Sequence, residues 1–204
     1  MKKSRTGTFS ILAISPDSKR MGVAVASGST SVGDRVPHAK PRIGVIATQA
    51  YTNVAYGIKG LELLAKGVSP KEVLNRLLME DLERELRQVA IMDFKKRKAV
   101  FTGAGAPEWH GEATGENCVV IGNLLAGKNV VPSIAEEFER TSGDLAWRMA
   151  KALRAGSESG GDKRGERSAA LIVVSREKVE VEIKVDEHKA PINELVRKLE
   201  IRRI

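Results

Sequence analysis

Thr8-Phe-Ser-Ile-Leu-Ala-Ile14, the turn formers Pro16-Asp17-Ser18 and the returning run Met21-Gly-Val-Ala-Val-Ala26 read together as a β-hairpin. Both runs favour the extended backbone, and the proline, aspartate and serine between them supply the reversal. A loop rich in Gly, Ser and Thr, with Gly28 and Gly33, leads to a third strand, Arg42-Ile-Gly-Val-Ile-Ala-Thr48. Helices follow. From Asn53, apolar Val54, Ile58, Leu61 and Leu64 recur at helical spacing up to Gly67, a C-terminal stop. Ser69-Pro70-Lys71-Glu72 supplies a capping serine, a proline at the first helical position and a glutamate three residues on, and Val73, Leu74, Leu77 and Leu78 form the buried stripe of that second helix.

The pattern then repeats in kind. Arg87 to Met92 and Ala99 to Thr102 flank the charged turn Asp93 to Lys98, and Cys118 to Ile121 gives another strand. Two amphipathic helices are expected from Val131 to Arg140 and from Asp144 to Ala155, the second capped by Asp144 and stopped by Gly156. Ser168 to Val174 and Val179 to Lys184 close as an alternating hairpin, and Ile192 to Leu199 ends as a helix. Helices thus come in pairs between hairpins, which disfavours a doubly wound parallel sheet and favours two antiparallel sheets between helical layers, an α+β fold.

With 204 residues and 42% hydrophobic content, one domain with one substantial core is expected. No apolar run is long enough to span a membrane, and the basic start Met-Lys-Lys-Ser-Arg is not followed by the apolar stretch of a signal peptide. The lone cysteine, Cys118, forms no internal disulfide and reads as a small core residue, which fits a reducing, cytoplasmic setting. The net charge of +8 permits nucleic-acid binding, yet the basic residues are scattered and aromatic residues are only 4% of the chain. A solvated basic surface is the better reading, and nucleic acid is not the expected partner.

Gly7-Thr8 opens the first strand. A threonine hydroxyl is a weak nucleophile, and one chemical solution makes it the first residue of the chain, so that its own α-amine, with a pKa of ~8, acts as the base. That requires cleavage after Gly7.

Thr8-Phe-Ser-Ile, Gly22-Val-Ala-Val-Ala-Ser27, Ile46-Ala-Thr-Gln-Ala-Tyr-Thr-Asn53, Tyr56-Gly, Gly60-Leu-Glu-Leu-Leu64, Phe101-Thr-Gly103, Gly122-Asn-Leu-Leu-Ala-Gly127 and Gly160-Gly-Asp-Lys-Arg-Gly165 followed by Ser168-Ala-Ala resemble the domain of unknown function family 1028, grouped with the N-terminal-nucleophile (Ntn) hydrolases. The resemblance runs from Thr8 to the C-terminus and implies a four-layer αββα sandwich over 8–204, with residues 1–7 a cleavable or disordered leader. It implies an amidohydrolase acting on a small-molecule or peptide amide, with Thr8 as nucleophile and Lys40 as the lysine that holds its pKa down. Lys40 has the alternative of a solvated loop residue. Thr48, Gln49 and Ala50 are candidates for the oxyanion wall, with strand packing as the competing role. Asp162, Arg164 and Ser168 would orient the Thr8 amine or hold a substrate carboxylate, unless they form a structural salt bridge. Asn123, Tyr51 and Asn53 are further substrate-binding candidates, with helix capping the stronger reading of Asn53. The aspartate of proteasome-like sites is replaced here by Ala26-Ser27-Gly28. Trp109-His110 has the makings of a lid. His38, His110 and His188 show no metal spacing, so neither metal nor cofactor is expected, and a homo-oligomer is implied by analogy alone. The alternative is a non-catalytic ligand-binding or assembly protein on the same fold.

Overall fold

The computed structural model describes residues 7–202. The opening hairpin forms as β1 (Thr8–Ile14) and β2 (Arg20–Ser27), in antiparallel register from Thr8 opposite Ser27 to Ile14 opposite Met21. The chain continues through β3 (Pro37–Lys40), β4 (Gly44–Ala50), α1 (Val54–Ala65), α2 (Pro70–Glu80), β5 (Arg87–Asp93), β6 (Lys98–Thr102), β7 (Gly111–Thr114) and β8 (Cys118–Asn123). It ends through α3 (Val130–Arg140), α4 (Leu145–Glu158), β9 (Ser168–Ser175), β10 (Val179–Val185) and α5 (Pro191–Ile201).

The strands make two antiparallel sheets, ordered β10-β9-β2-β1-β8-β7 and β3-β4-β5-β6. Because successive side chains of a strand point to opposite faces, Phe9, Ile11 and Ala13 of β1 pack against Ile134, Phe138, Met149, Leu153 and Leu195 of α3, α4 and α5. Leu12 and Ile14 meet Val45, Ala47, Ala90 and Met92 of the smaller sheet. The outer face of that sheet, with Ile46, Val89 and Ile91, lies beneath Tyr56, Val73 and Leu77 of α1 and α2. The expected αββα sandwich is therefore the observed one. A strand clad on both faces has no solvated side, so every residue of β1 is buried and its sequence is a near-continuous apolar run.

The caps fall where the sequence places them. Asn53 accepts from Ala55 N at 3.2 Å, Ser69 from Glu72 N at 3.3 Å, and Asp144 from Ala146 N at 3.0 Å. Three boundaries differ. The short strands β3 and β7 are not foreseen; both are sheet edges, and β3 begins at Pro37, a residue that edge positions tolerate. The third expected strand starts two residues late, because Arg42 adopts a left-handed turn with φ 67° before Gly44.

Gly156 does not stop α4, which runs on to Glu158. Its role is close approach: a Cβ there would lie 2.5 Å from Ile134 Cγ1 and 3.4 Å from the Phe9 ring. Cys118 is fully buried, and burial, reinforced by the nearby Glu139 carboxylate, pushes its thiol up to about 12, so it is an unreactive core residue. No helix among the described residues is long and apolar enough to cross a membrane.

Gly156→Ala should lower stability by about 1–3 kcal/mol through overpacking against Ile134, outweighing the ~1 kcal/mol of helix propensity that alanine brings. Urea denaturation of both proteins checks this, and a raised midpoint would show that α3 yields.

Candidate active site

At one end of the space between the sheets the inward-facing positions change from apolar to polar. On β1, Ile14 and Leu12 are followed toward the N-terminus by Ser10 and Thr8; on β2, Val23 and Val25 lead to Ser27; on β8, Val119 and Ile121 lead to Asn123. In the facing sheet Val45 and Ala47 lead to Gln49, while Ala90 and Met92 lead back to Gln88. Cross-strand register aligns these ends. Thr8 is opposite both Ser27 and Asn123, Ser27 is opposite Ser168, and Gln88 is opposite Gln49 and Thr102. Two rows of polar side chains thus face each other across a buried layer.

The Gly7–Thr8 peptide sits at the edge of that layer. The Gly7 carbonyl oxygen accepts from Thr8 Oγ1 at 2.6 Å, from Ser27 Oγ at 2.5 Å and from Arg164 Nη2 at 3.2 Å. The Thr8 and Ser27 hydroxyls are themselves 3.1 Å apart. Arg164 is held by a fork onto Asp162, with Nε to Oδ1 at 3.0 Å and Nη2 to Oδ2 at 2.8 Å. The Asp162 side chain is 0% exposed and also accepts from the backbone amides of Gly28 at 2.7 Å and Arg164 at 2.9 Å. Gly7 and Gly28 are small because this pair fills the space beside them. A Cβ on Gly7 would lie 2.5 Å from Asp162 Oδ2, and one on Gly28 would lie 2.8 Å from both that oxygen and Arg164 Nη2.

Beneath Thr8 lies an amide floor. Gln49 Nε2 donates to Thr8 O at 3.2 Å and to Gln88 Oε1 at 2.8 Å, and its own Oε1 accepts from Ser10 Oγ at 2.6 Å. Asn123 Nδ2 donates to Gln88 Oε1 at 3.1 Å, and Gln88 Nε2 donates onward to Thr102 Oγ1, Gly111 O and Gly122 O. Ser168 tethers the loop after β2, donating to Ser29 O at 2.5 Å and accepting from Val32 N at 3.2 Å.

Of the residues singled out in the sequence, Thr8, Gln49, Asn123, Asp162, Arg164 and Ser168 are gathered here. Thr48 faces the other way: its hydroxyl donates to Asn53 O at 3.2 Å, and its amide donates to Val36 O at 3.1 Å. Asn53 caps α1. Tyr51 contributes its carbonyl, which accepts from Arg87 Nη1 at 2.8 Å. Lys40 is not brought to Thr8. It is exposed and pairs with Gly44, whereas Gln49 lies five residues further along β4, roughly 17 Å at strand rise. Among the described residues, the cation that reaches the Gly7–Thr8 peptide is Arg164. The Trp109 segment borders Asn123, since Leu124 N donates to Pro107 O and Leu125 N to Trp109 O, both at 2.9 Å. Among the described residues no group of three or more His, Cys, Asp or Glu is placed to hold a metal ion.

Sequence reading missed Ser10, Ser27, Gln88 and Thr102 as members of the network. Their signal is a polar residue at the position where strand alternation demands an apolar one, a feature that becomes informative only once several strands share it in register.

The model of the family of unknown function DUF1028 matches residues 8–195. The chain belongs to that family. Protein SPO2555 from Silicibacter pomeroyi, whose crystal structure carries the same family model, superposes with a TM-score of 0.91 at 30% sequence identity, covering 97% of this chain and 87% of that one. Anbu (ancestral beta-subunit) from Yersinia bercovieri aligns over 95% of this chain and 93% of its own, at 10% identity and a TM-score of 0.47. No curated protein matches the chain.

In this DUF1028 domain the end of β4 is pinned by an ion pair between buried Arg87 and partly buried Asp81. Arg87 Nε donates to Asp81 Oδ2 at 2.8 Å, and Tyr56 Oη donates to the same oxygen at 2.9 Å. The Arg87 hydrogen bonds hold the Asp81 carboxyl well below the usual carboxylate range, while burial first, and then the Asp81 carboxylate, raises the Tyr56 phenol. A depressed folded pKa contributes stability that is complete above the unfolded value of ~3.9 and fades as pH falls toward the folded value. Asp81→Asn should therefore cost about 1–3 kcal/mol at neutral pH, with the gap to wild type narrowing only below about pH 4. Chemical denaturation at pH 7 and pH 3 measures the difference, and a pH-independent gap would exclude this titration.

Proposed function

We propose that the chain is the precursor of an Ntn-type amidohydrolase in which Thr8 is the nucleophile. The observation that supports this reading is the Gly7 carbonyl: one oxygen, in a buried setting, surrounded by the hydroxyls of Thr8 and Ser27 and the guanidinium of Arg164. Donors aimed at a carbonyl oxygen polarise it and stabilise the oxyanion formed when a nucleophile attacks the carbon. The attacking group lies in the next residue, so its entropy of approach is already lost.

In the self-cleavage step Thr8 Oγ1 turns from the carbonyl oxygen to the carbonyl carbon and bonds to it. Ser27 takes the Thr8 proton and passes its own to the oxyanion, which Arg164 also holds. Collapse breaks the carbon–nitrogen bond, the proton on the former carbonyl oxygen moves to the nitrogen, and Gly7 becomes an ester on Thr8. Water cleaves the ester, returning the hydroxyl to Thr8 and leaving a carboxylate on Gly7. The freed α-amine then serves as the base for attack on an amide substrate, with a second ester as the intermediate. Ser27 fills the role for which proteasome-like sites use an acid, and Lys40 has no part in it. A cytoplasmic setting and a homo-oligomer belong to the same reading.

A second reading has its own support. Thr8 is 2% exposed with Gly7 in place, so the intact chain offers no open nucleophile, as suits a ligand-binding or assembly protein on this fold. Intact-mass measurement of the purified full chain separates the two. An enzyme precursor loses residues 1–7 with time and then takes up a threonine-directed electrophile. Thr8→Ala should abolish the loss, and Ser27→Ala should slow it by about 10²- to 10³-fold. A wild-type chain that keeps its mass and ignores the electrophile favours the binder.

A further inference from the structure

We propose that the acyl group accepted by Thr8 is restricted to glycyl, so that the substrates are glycyl amides and peptides, a restriction imposed by the Asp162 carboxylate. The inference rests on the hydrolase reading and adds to it a substrate class.

The ester formed when Gly7 shifts from nitrogen to oxygen is, atom for atom, a glycyl acyl-enzyme. Its carbonyl carbon changes partner within one residue, from Thr8 N to Thr8 Oγ1, and its oxygen stays in reach of Ser27 Oγ and Arg164 Nη2. An external amide whose oxygen uses the same two donors places its acyl carbon where the Gly7 carbonyl lies, and its α-carbon where the Gly7 Cα lies. At that position an L-side chain meets a wall. A Cβ would fall 2.5 Å from Asp162 Oδ2, 2.7 Å from Cγ and 2.7 Å from Oδ1, the whole carboxylate at once.

The wall does not yield by rotation. Asp162 is a short side chain with both oxygens engaged: Oδ2 accepts from Gly28 N and Arg164 Nη2, and Oδ1 from Arg164 N and Nε. Its backbone is fixed as well. The Asp162 amide donates to Glu166 Oε1 at 2.9 Å, its carbonyl accepts from Gly165 N at 2.8 Å, and the residue forms a β-bridge with Leu125. Moving the carboxylate aside breaks four hydrogen bonds to a buried charge, which is why exclusion by this group is sharper than exclusion by an apolar side chain that repacks.

The test uses the protein that has lost residues 1–7 from the full-length chain, supplied with N-acetylglycyl and N-acetyl-L-alanyl p-nitroanilides at equal concentrations. The expected result is a kcat/KM about 100-fold higher for the glycyl compound. Values within threefold of each other, or a processed chain that hydrolyses neither compound, overturn the glycyl restriction and leave the self-cleavage reading standing. A chain that keeps its full mass and hydrolyses neither overturns both.

Discussion

The carboxylate of Asp162 is the group on which the organisation of this protein's polar end depends. A fully buried negative charge is unfavourable unless it is paired and hydrogen-bonded, and here one guanidinium and two backbone amides satisfy it. Each partner is in turn fixed by the carboxylate. The Gly28 amide locates the start of the loop after β2, Arg164 is aimed at the Gly7 carbonyl, and the turn around Asp162 is set against Leu125 beyond β8. The segments around Gly7, Gly28 and Arg164, far apart in sequence, therefore meet at one short side chain. Two glycines flank it because a methyl group on either would enter the volume the ion pair occupies.

The polar rows between the sheets impose a second constraint. Serine, threonine, asparagine and glutamine at the end of an otherwise apolar layer forgo packing energy, and each unpaired donor or acceptor left in such a place costs about 1–3 kcal/mol. The network avoids that penalty by sharing. Gln88 alone links Gln49, Asn123 and Thr102 to two backbone carbonyls, so it bridges both sheets. Such cooperation fixes the Ser10 hydroxyl and the Thr8 carbonyl against a shared frame, while the Thr8 and Ser27 hydroxyls are held by the Gly7 carbonyl and by each other.

Much of this was legible in the sequence, and the reasons are physical. The hairpin of β1 and β2, the pairs α1/α2 and α3/α4 and the caps at Asn53, Ser69 and Asp144 all arise from local periodicity and local hydrogen bonding. Of the site, Thr8 stands out as the hydroxyl that opens the first strand, whereas Gln49, Asn123, Asp162, Arg164 and Ser168 emerge only through a resemblance, because nothing in their spacing announces that they meet. Thr48 and Gln49 show the limit of linear reading: adjacent in a strand, they face opposite layers, and only the second reaches Thr8. Lys40 shows another. Order along the chain placed it near the third strand, but the antiparallel register carried it to the far end of β4. Gly156 reads as a helix stop because glycine so often is one; a tight helix crossing uses the same residue for a different reason.

Strand β1 is bonded on both sides, by β2 and by β8, and packed on both faces. Its first residue is the candidate reactive one and its remaining six are among the most deeply enclosed of the domain. The candidate reactive residue and the centre of the core therefore share one stretch of backbone. A single inserted or deleted codon between Thr8 and Ile14 would shift one part of the strand by a residue and send its inward-facing side chains to the opposite layer, whereas exchange of the Thr8 side chain alone leaves the register of both sheets in place.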